Sequence, residues 1–195
     1  MTDDHAPRAS RRDFVAQAAM VFAGAGSALA MWPFLAQMGP NRATPSPESV
    51  DVDLQGIQPG STKVVRWRGM PVFVRHRTPQ EVQEARATAL ADLPDRLARN
   101  AMLPQTALAV DANRTKEGHE AWLVVTGLCT HLGCVLSGPP TAASGEAWFC
   151  PCHAARFDVS GRVRAGPART NLQVPRYEFR RWDKLKIGWR SVKVP

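Results

Sequence analysis

Two short runs hold all four cysteines of the chain and two of its five histidines. They are Cys129-Thr130-His131-Leu132-Gly133-Cys134 and Cys150-Pro151-Cys152-His153. Each run offers one thiolate and one imidazole at ligand spacing, with one further cysteine to spare. That donor set fits a [2Fe–2S] cluster with two cysteines on one iron and two histidines on the other. Two neutral imidazoles in place of two thiolates make the cluster less negative. An added electron then meets less repulsion, and the reduction potential rises above that of an all-cysteine cluster. The far ring nitrogen of each imidazole can also carry or release a proton as the iron changes charge. Coupled uptake of an electron and a proton at one solvent-facing edge suits the oxidation of a hydroquinone.

Two other chemistries use the same residue types. A Cys₂His₂ zinc site accepts these donors, but the single residue between Cys129 and His131 is tighter than zinc-finger spacing. Zinc also leaves the matched extra cysteines without a role. A redox-active thiol pair at Cys150-Pro151-Cys152 has one residue between the sulfurs where such motifs have two.

The two runs resemble the signature of Rieske iron–sulfur proteins, and the cysteine in the sixth place of the first run resembles the quinol-oxidising branch. Rieske ferredoxins and ring-hydroxylating oxygenases generally lack that extra pair. The resemblance implies Cys129 and Cys150 on one iron, His131 and His153 on the other, and a Cys134–Cys152 disulfide. It also implies a cover over the cluster from Leu132 and a third loop from Gly166-Pro167-Ala168, followed by Asn171-Leu172. The stretch from Trp67 through Gly69, Pro71 and Val72 to Arg77-Thr78 is similar to one in the ubiquinol–cytochrome c reductase Rieske subunit. Asn113-Arg114-Thr115 and Trp122 to Val125 are similar to others. The resemblance runs from about residue 10 to residue 188.

By that resemblance the chain is the Rieske subunit of a cytochrome bc complex, with cytochrome b and a c-type cytochrome as partners in a dimeric assembly. His153 is then the residue that takes a hydrogen bond and a proton from quinol as the cluster takes one electron. The second electron leaves through cytochrome b haem. The alternative is the small Rieske subunit of an arsenite oxidase, relaying electrons from a molybdenum centre; those subunits share the export signal, the bridged cluster and commonly a Phe at the place of Phe157.

The chain departs from the quinol-oxidising pattern after His153. Ala155 and Phe157 stand where the family typically has Ser and Tyr, whose hydroxyls donate to cluster sulfurs. Without those donors the charge of the reduced cluster is less spread and its potential falls. Arg169 replaces the second proline of the third loop.

The elements that must position these residues are also legible. Ser10-Arg11-Arg12-Asp13-Phe14-Val15 resembles a twin-arginine export signal. The following run, 14–38, is interrupted only by Gln17, Ser27 and Gln37 and is long enough to cross a bilayer. Gly24, Gly26 and Pro33 are tolerated in such helices. A cleaved leader with processing at Ala28-Leu29-Ala30 competes with a retained anchor. Trp32, Phe34 and Leu35 beyond that site favour the anchor. Residues 1–13 then stay cytoplasmic, and the bulk of the chain faces the periplasm from a bacterial inner membrane, where a disulfide persists. Residues 39–49, polar and proline-rich, read as a hinge linker. Residues 50–188 form the cluster domain and 189–195 a tail.

Within the domain, short strand-like runs alternate with turns: 63–67, 72–76, 122–125, 147–149, 156–159, 162–164, 172–174, 177–179 and 185–187. Ser160-Gly161 marks a hairpin. This predicts an all-β fold of stacked antiparallel sheets, in line with the Rieske fold that the resemblance implies. Between Pro79 and Arg99 a helical period predicts an insertion on the side of the sheets, away from the cluster, divided at Pro94. Residues 102–118 read as loop. Leu132 reads by default as packing inward, and Trp148 and Phe149 as core. The formal charge of +8 reads as a solvated arginine-rich surface, with Arg66, Arg68, Arg75 and Arg77 on an exposed face. Scattered arginines and no recognition motif argue against nucleic acid.

Overall fold

A computed structural model describes residues 10–38, 47–138 and 146–188, and the chain divides into two compact units, 1–45 and 46–195. In the first unit, helix α1 spans Arg11–Gln37. Ser10 starts it with a capping box: its hydroxyl accepts from the Asp13 N–H at 3.2 Å, while Asp13 accepts from the Ser10 N–H at 3.0 Å. The paired arginines therefore form its first turn. Its 27 residues rise about 40 Å, more than the ~30 Å of a hydrocarbon core. No side chain along it is buried within the unit. Pro33 lies inside it, and Ser27 donates back to the Ala23 carbonyl at 2.8 Å.

The second unit contains three three-stranded antiparallel sheets among the described residues. Strands β2 (Thr62–Trp67), β3 (Met70–His76) and β4 (Trp122–Thr126) form the first, with β3 in the middle. Its apolar centre, Val72, Phe73, Val74 and Leu123 to Val125, is fully buried. The β2–β3 turn is two residues, Arg68 and Gly69, both at positive φ (50° and 76°). A tight hairpin needs that twist, and glycine supplies half of it without strain. Strands β5 (Glu146–Phe149), β6 (Arg156–Asp158) and β7 (Val163–Ala165) form the second sheet. The third pairs β1 (Val50–Asp53) with β9 (Lys184–Ile187), and β9 with β8 (Tyr177–Arg181). The all-β architecture is as expected, and the Ser160-Gly161 turn joins β6 to β7, with the Gly161 N–H on the Asp158 carbonyl at 2.9 Å.

Four expectations are corrected. The helical insertion is shorter than its periodicity suggests. Helix α2 spans Pro79–Ala87, started by a Thr78/Glu81 capping box, and ends before Pro94 because Thr88 turns to an extended conformation. A single 3₁₀ turn, Leu90–Asp92, follows. Residues 172–174 are not a strand. Their amides and carbonyls are shared among three segments: Leu172 N–H to Gly161, the Gln173 carbonyl to Thr126, and Val174 to Arg99 and Ala101 in an isolated bridge. Strand β1 was not expected, because Val50 and Val52 alone give too short an alternation.

Fourth, Arg75 and Arg77 do not lie on an exposed face; they are 2% and 1% exposed. Arg75 pairs with Glu81, the capping-box acid of α2, and Arg77 with Asp111 at 2.7 Å. Arg114 and Arg162 are equally buried. Arg114 donates to the carbonyls of Ser160 (2.9 Å), Gly161 (3.3 Å) and Ala98. Arg162 pairs with Asp158 at 2.6 Å and donates to the Ala85 carbonyl at 2.9 Å. Part of the basic composition is thus internal framework, while Arg66 and Arg68 do lie exposed. The linker residues 39–46 and the tail 189–195 lie outside the described residues.

Candidate metal centre

The first cysteine run follows β4 and the second follows β5, and the two loops are closed by the same pair of backbone hydrogen bonds. Cys129 accepts from the N–H four residues on, Gly133 (2.9 Å), and donates to the carbonyl five residues on, Cys134 (2.8 Å). Cys150 accepts from Ala154 (2.9 Å) and donates to Ala155 (2.8 Å). The residue at the fifth place is left-handed in both, Gly133 at φ 77° and Ala154 at φ 56°. The loop stems are tied together by Ser137 and Phe149, which exchange hydrogen bonds of 2.8 and 3.2 Å.

This closure sorts the donor atoms by depth. Cys129 and Cys150 are buried, at 3% and 0% exposure, and their thiols interact with each other. Burial pushes the Cys129 thiol up, opposed by the N–H groups of His131 and Leu132 aimed at its sulfur. Burial acts on Cys150 too, but the N–H groups of His153 and Cys152, with its thiol neighbours, hold it below the usual thiol range. Backbone donors thus converge on two adjacent sulfurs, the arrangement that stabilises metal-bound thiolates.

His131 and His153 stand together on the outer side, ring centroids 4.7 Å apart and nearly perpendicular. His153 is exposed and His131 half-buried. His131 Nδ1 is buried with no hydrogen-bond partner. A buried polar atom left unsatisfied is costly unless a ligand completes it. Two inner sulfurs, two outer imidazoles and an orphaned ring nitrogen fit a cluster with cysteines on one iron and histidines on the other.

The extra cysteines lie beside this pair. The sulfurs of Cys134, Cys150 and Cys152 all lie within 4.8 Å of one another. The Cys152 thiol, then burial, push Cys134 up to about 11.

A third loop completes the surround. At Gly166 (φ 90°) a β-carbon would lie 2.6 Å from Ala155 Cα and 2.8 Å from the Ala154 carbonyl. Only glycine lets this loop press on the second one. Thr130 ties the first loop to the third, donating to the Thr170 carbonyl at 2.6 Å. Pro167 is exposed, and Ala155 and Phe157 are fully buried without a hydroxyl to offer. Leu132 is 70% exposed and does not pack inward. Trp148 is core as expected, stacked on Phe73 at 4.8 Å, whereas Phe149 is 39% exposed. Sequence reasoning missed Thr130 and the shared loop closure. Gly133 offered a signal for the latter; Ala154, a non-glycine in left-handed conformation, offered none.

Comparison with known proteins gives concordant matches. The family model described as "Rieske [2Fe-2S] domain" matches residues 83–178. That described as "Ubiquitinol-cytochrome C reductase Fe-S subunit TAT signal" matches residues 1–41. The ubiquinol-cytochrome c reductase iron-sulfur subunit of Bradyrhizobium diazoefficiens is 44% identical over 190 residues, covering 96% of this chain and 99% of its own. Its counterpart in Blastochloris viridis is 42% identical over 191 residues, covering 96% and 98%. The mitochondrial cytochrome b-c1 complex subunit Rieske of Neurospora crassa is 43% identical over 166 residues, covering 84% of this chain and 64% of its own.

Proposed function

Because this chain belongs to the family of ubiquinol–cytochrome c reductase iron–sulfur subunits, we propose that Cys129 and Cys150 hold one iron of its [2Fe–2S] cluster and His131 and His153 the other. Cys134 and Cys152 close a disulfide beside it. The protein is the Rieske subunit of a cytochrome bc complex, an oxidoreductase component. Nothing among the relatives named above favours the arsenite oxidase alternative.

When bound there, the cluster would supply one-electron redox chemistry between quinol and a c-type cytochrome haem. The chain's own residues do the rest. His153, exposed at the rim, accepts a hydrogen bond from a quinol hydroxyl and then its proton. His131, more enclosed, orients the outer face. Leu132, beside them, keeps water off that face and meets the partner. The observation that carries this reading is the inward pairing of the sulfurs with the outward pairing of the imidazoles. Replacing His153 by Ala abolishes both cluster assembly and quinol–cytochrome c turnover. A variant with an intact cluster spectrum contradicts its place as a ligand.

Buried Ala155 and Phe157 support a lowered potential, since neither side chain donates to sulfur. Ala155→Ser with Phe157→Tyr raises the midpoint in a redox titration; an unchanged midpoint overturns this part of the reading. Residues 14–38 anchor the subunit, 39–49 tether it, and the 50–188 domain sits in the periplasm against cytochrome b and a c-type cytochrome of a dimeric complex. Capped, 27-residue α1 and the export-signal match support that topology. Protease added outside spheroplasts should then remove the domain and spare the helix.

A further inference from the structure

The segment after α2 reaches the third loop through two side chains that leave none of their polar atoms idle. Asn171 is fully buried. Its N–H donates to Asp95 Oδ2 at 2.9 Å, and its Nδ2 donates to the carbonyls of Asp95 (2.9 Å) and Leu97 (2.8 Å). Its Oδ1 accepts from the Val163 N–H at 2.9 Å. Asp95, 6% exposed, also accepts from the Leu97 N–H at 3.1 Å and from Arg99 Nε at 2.9 Å. Arg99 holds a left-handed backbone (φ 49°) there, a strained conformation for a side-chain-bearing residue that the surrounding bonds must hold. The insertion is therefore not remote from the cluster loops, as its sequence suggested.

The clasp ends one residue from Thr170, whose carbonyl holds the Thr130 hydroxyl at 2.6 Å. Thr130 lies between Cys129 and His131, one proposed ligand of each iron. We propose that Asp95 is a positioning residue for the cluster: through Asn171 and Thr170 it fixes Thr130, and with it the relative placement of the Cys129 sulfur and the His131 ring. A hydrogen bond to a charged acceptor is about twice as strong as a neutral one, so a carboxylate here stiffens the third loop more than a neutral acceptor does. Partners one shell removed from a metal site tune it in this way. The proposal rests on the ligand assignment above.

The test uses the full membrane-bound complex and compares Asp95→Ala, Thr130→Val and the double variant. The readouts are the EPR line shape and midpoint potential of the reduced cluster, and the rate of iron loss to a chelator. Each single variant is expected to broaden the EPR features, displace the midpoint and speed iron loss about tenfold, the lower end for an outer-shell partner. The double variant should match one single variant, because both act through one path. Thr130→Ser, which keeps the hydroxyl, should restore wild-type values. Asp95→Asn keeps an acceptor without the charge and should give a smaller displacement of the same sign; it decides the matter where Asp95→Ala does not assemble. Variants that melt earlier with unchanged line shape and midpoint overturn the proposal, as do strictly additive effects. A wild-type complex without the EPR signal defeats the ligand assignment instead.

Discussion

Two polar regions of the same domain are built on opposite terms. In the arginine framework every guanidinium is hydrogen-bonded from within the protein. Arg77 meets Asp111 at 2.7 and 3.1 Å and Ser160 at 3.0 Å, Arg162 meets Asp158, and Arg114 is surrounded by carbonyls. Burial lowers Arg114 to about 10, which still leaves it charged at neutral pH. In the cluster loops the donors converge on one place without matching each other: sulfurs face sulfurs, imidazole faces imidazole, and His131 Nδ1 has no protein partner. Buried polar groups that satisfy one another make scaffold; metal-ligating groups that converge on one place without matching each other make a candidate site. The framework holds the loop stems in register, since Asp158 and Ser160 lie in the hairpin following the second loop.

The largest break in this comparison comes from removing one partner of a buried pair. Asp111→Ala leaves the Arg77 charge buried and uncompensated, at a cost of about 3–5 kcal/mol. Urea unfolding of the purified subunit measures it. The fraction still folded should keep a normal cluster spectrum, because the lesion lies in the framework and not among the donors.

The difference between the two regions also explains what could be read from the residues alone. The donor set proposed for the cluster is legible because each loop carries its own pair within six residues, and ligand spacing is a local property. The strands around Val72 and Val124 are legible because apolar β-branched runs leave few alternatives. Arg77 misleads because its counter-charge, Asp111, lies 34 residues away, and an arginine among polar neighbours looks solvated until the fold brings the acid to it. The run 172–174 has strand composition, yet its backbone groups are shared among three segments, with only an isolated bridge from Val174 to Asn100. Asp95 and Asn171 are 76 residues apart, and no local pattern links them.

A moderate effect is expected on acidification. Burial raises the Asp95 carboxyl, but Arg99 and the N–H groups of Asn171 and Leu97 outweigh it and hold it below the usual range. A depressed carboxyl makes the unfolded chain bind more protons. Its stabilisation is therefore complete above the unfolded value of about 3.9 and is lost as pH falls through the lower folded value. Urea midpoints between pH 2 and 6 should fall more steeply for the wild type than for Asp95→Asn.

The smallest stability effect is expected at the rim. Leu132→Ala removes a side chain that is 70% exposed, so unfolding stability should stay within about 0.5 kcal/mol. Quinol–cytochrome c turnover should fall nonetheless. A loss of stability comparable to that of Asp111→Ala would make Leu132 part of the scaffold and erase the contrast.

The central claim is that the outer iron carries two imidazoles. Nitrogen hyperfine spectroscopy on the reduced protein tests it most directly. The account predicts two inequivalent, strongly coupled nitrogens, and no cluster remaining when any one of Cys129, His131, Cys150 or His153 is replaced. A spectrum without strongly coupled nitrogen, or a protein that holds zinc and gives no signal on reduction, would contradict it.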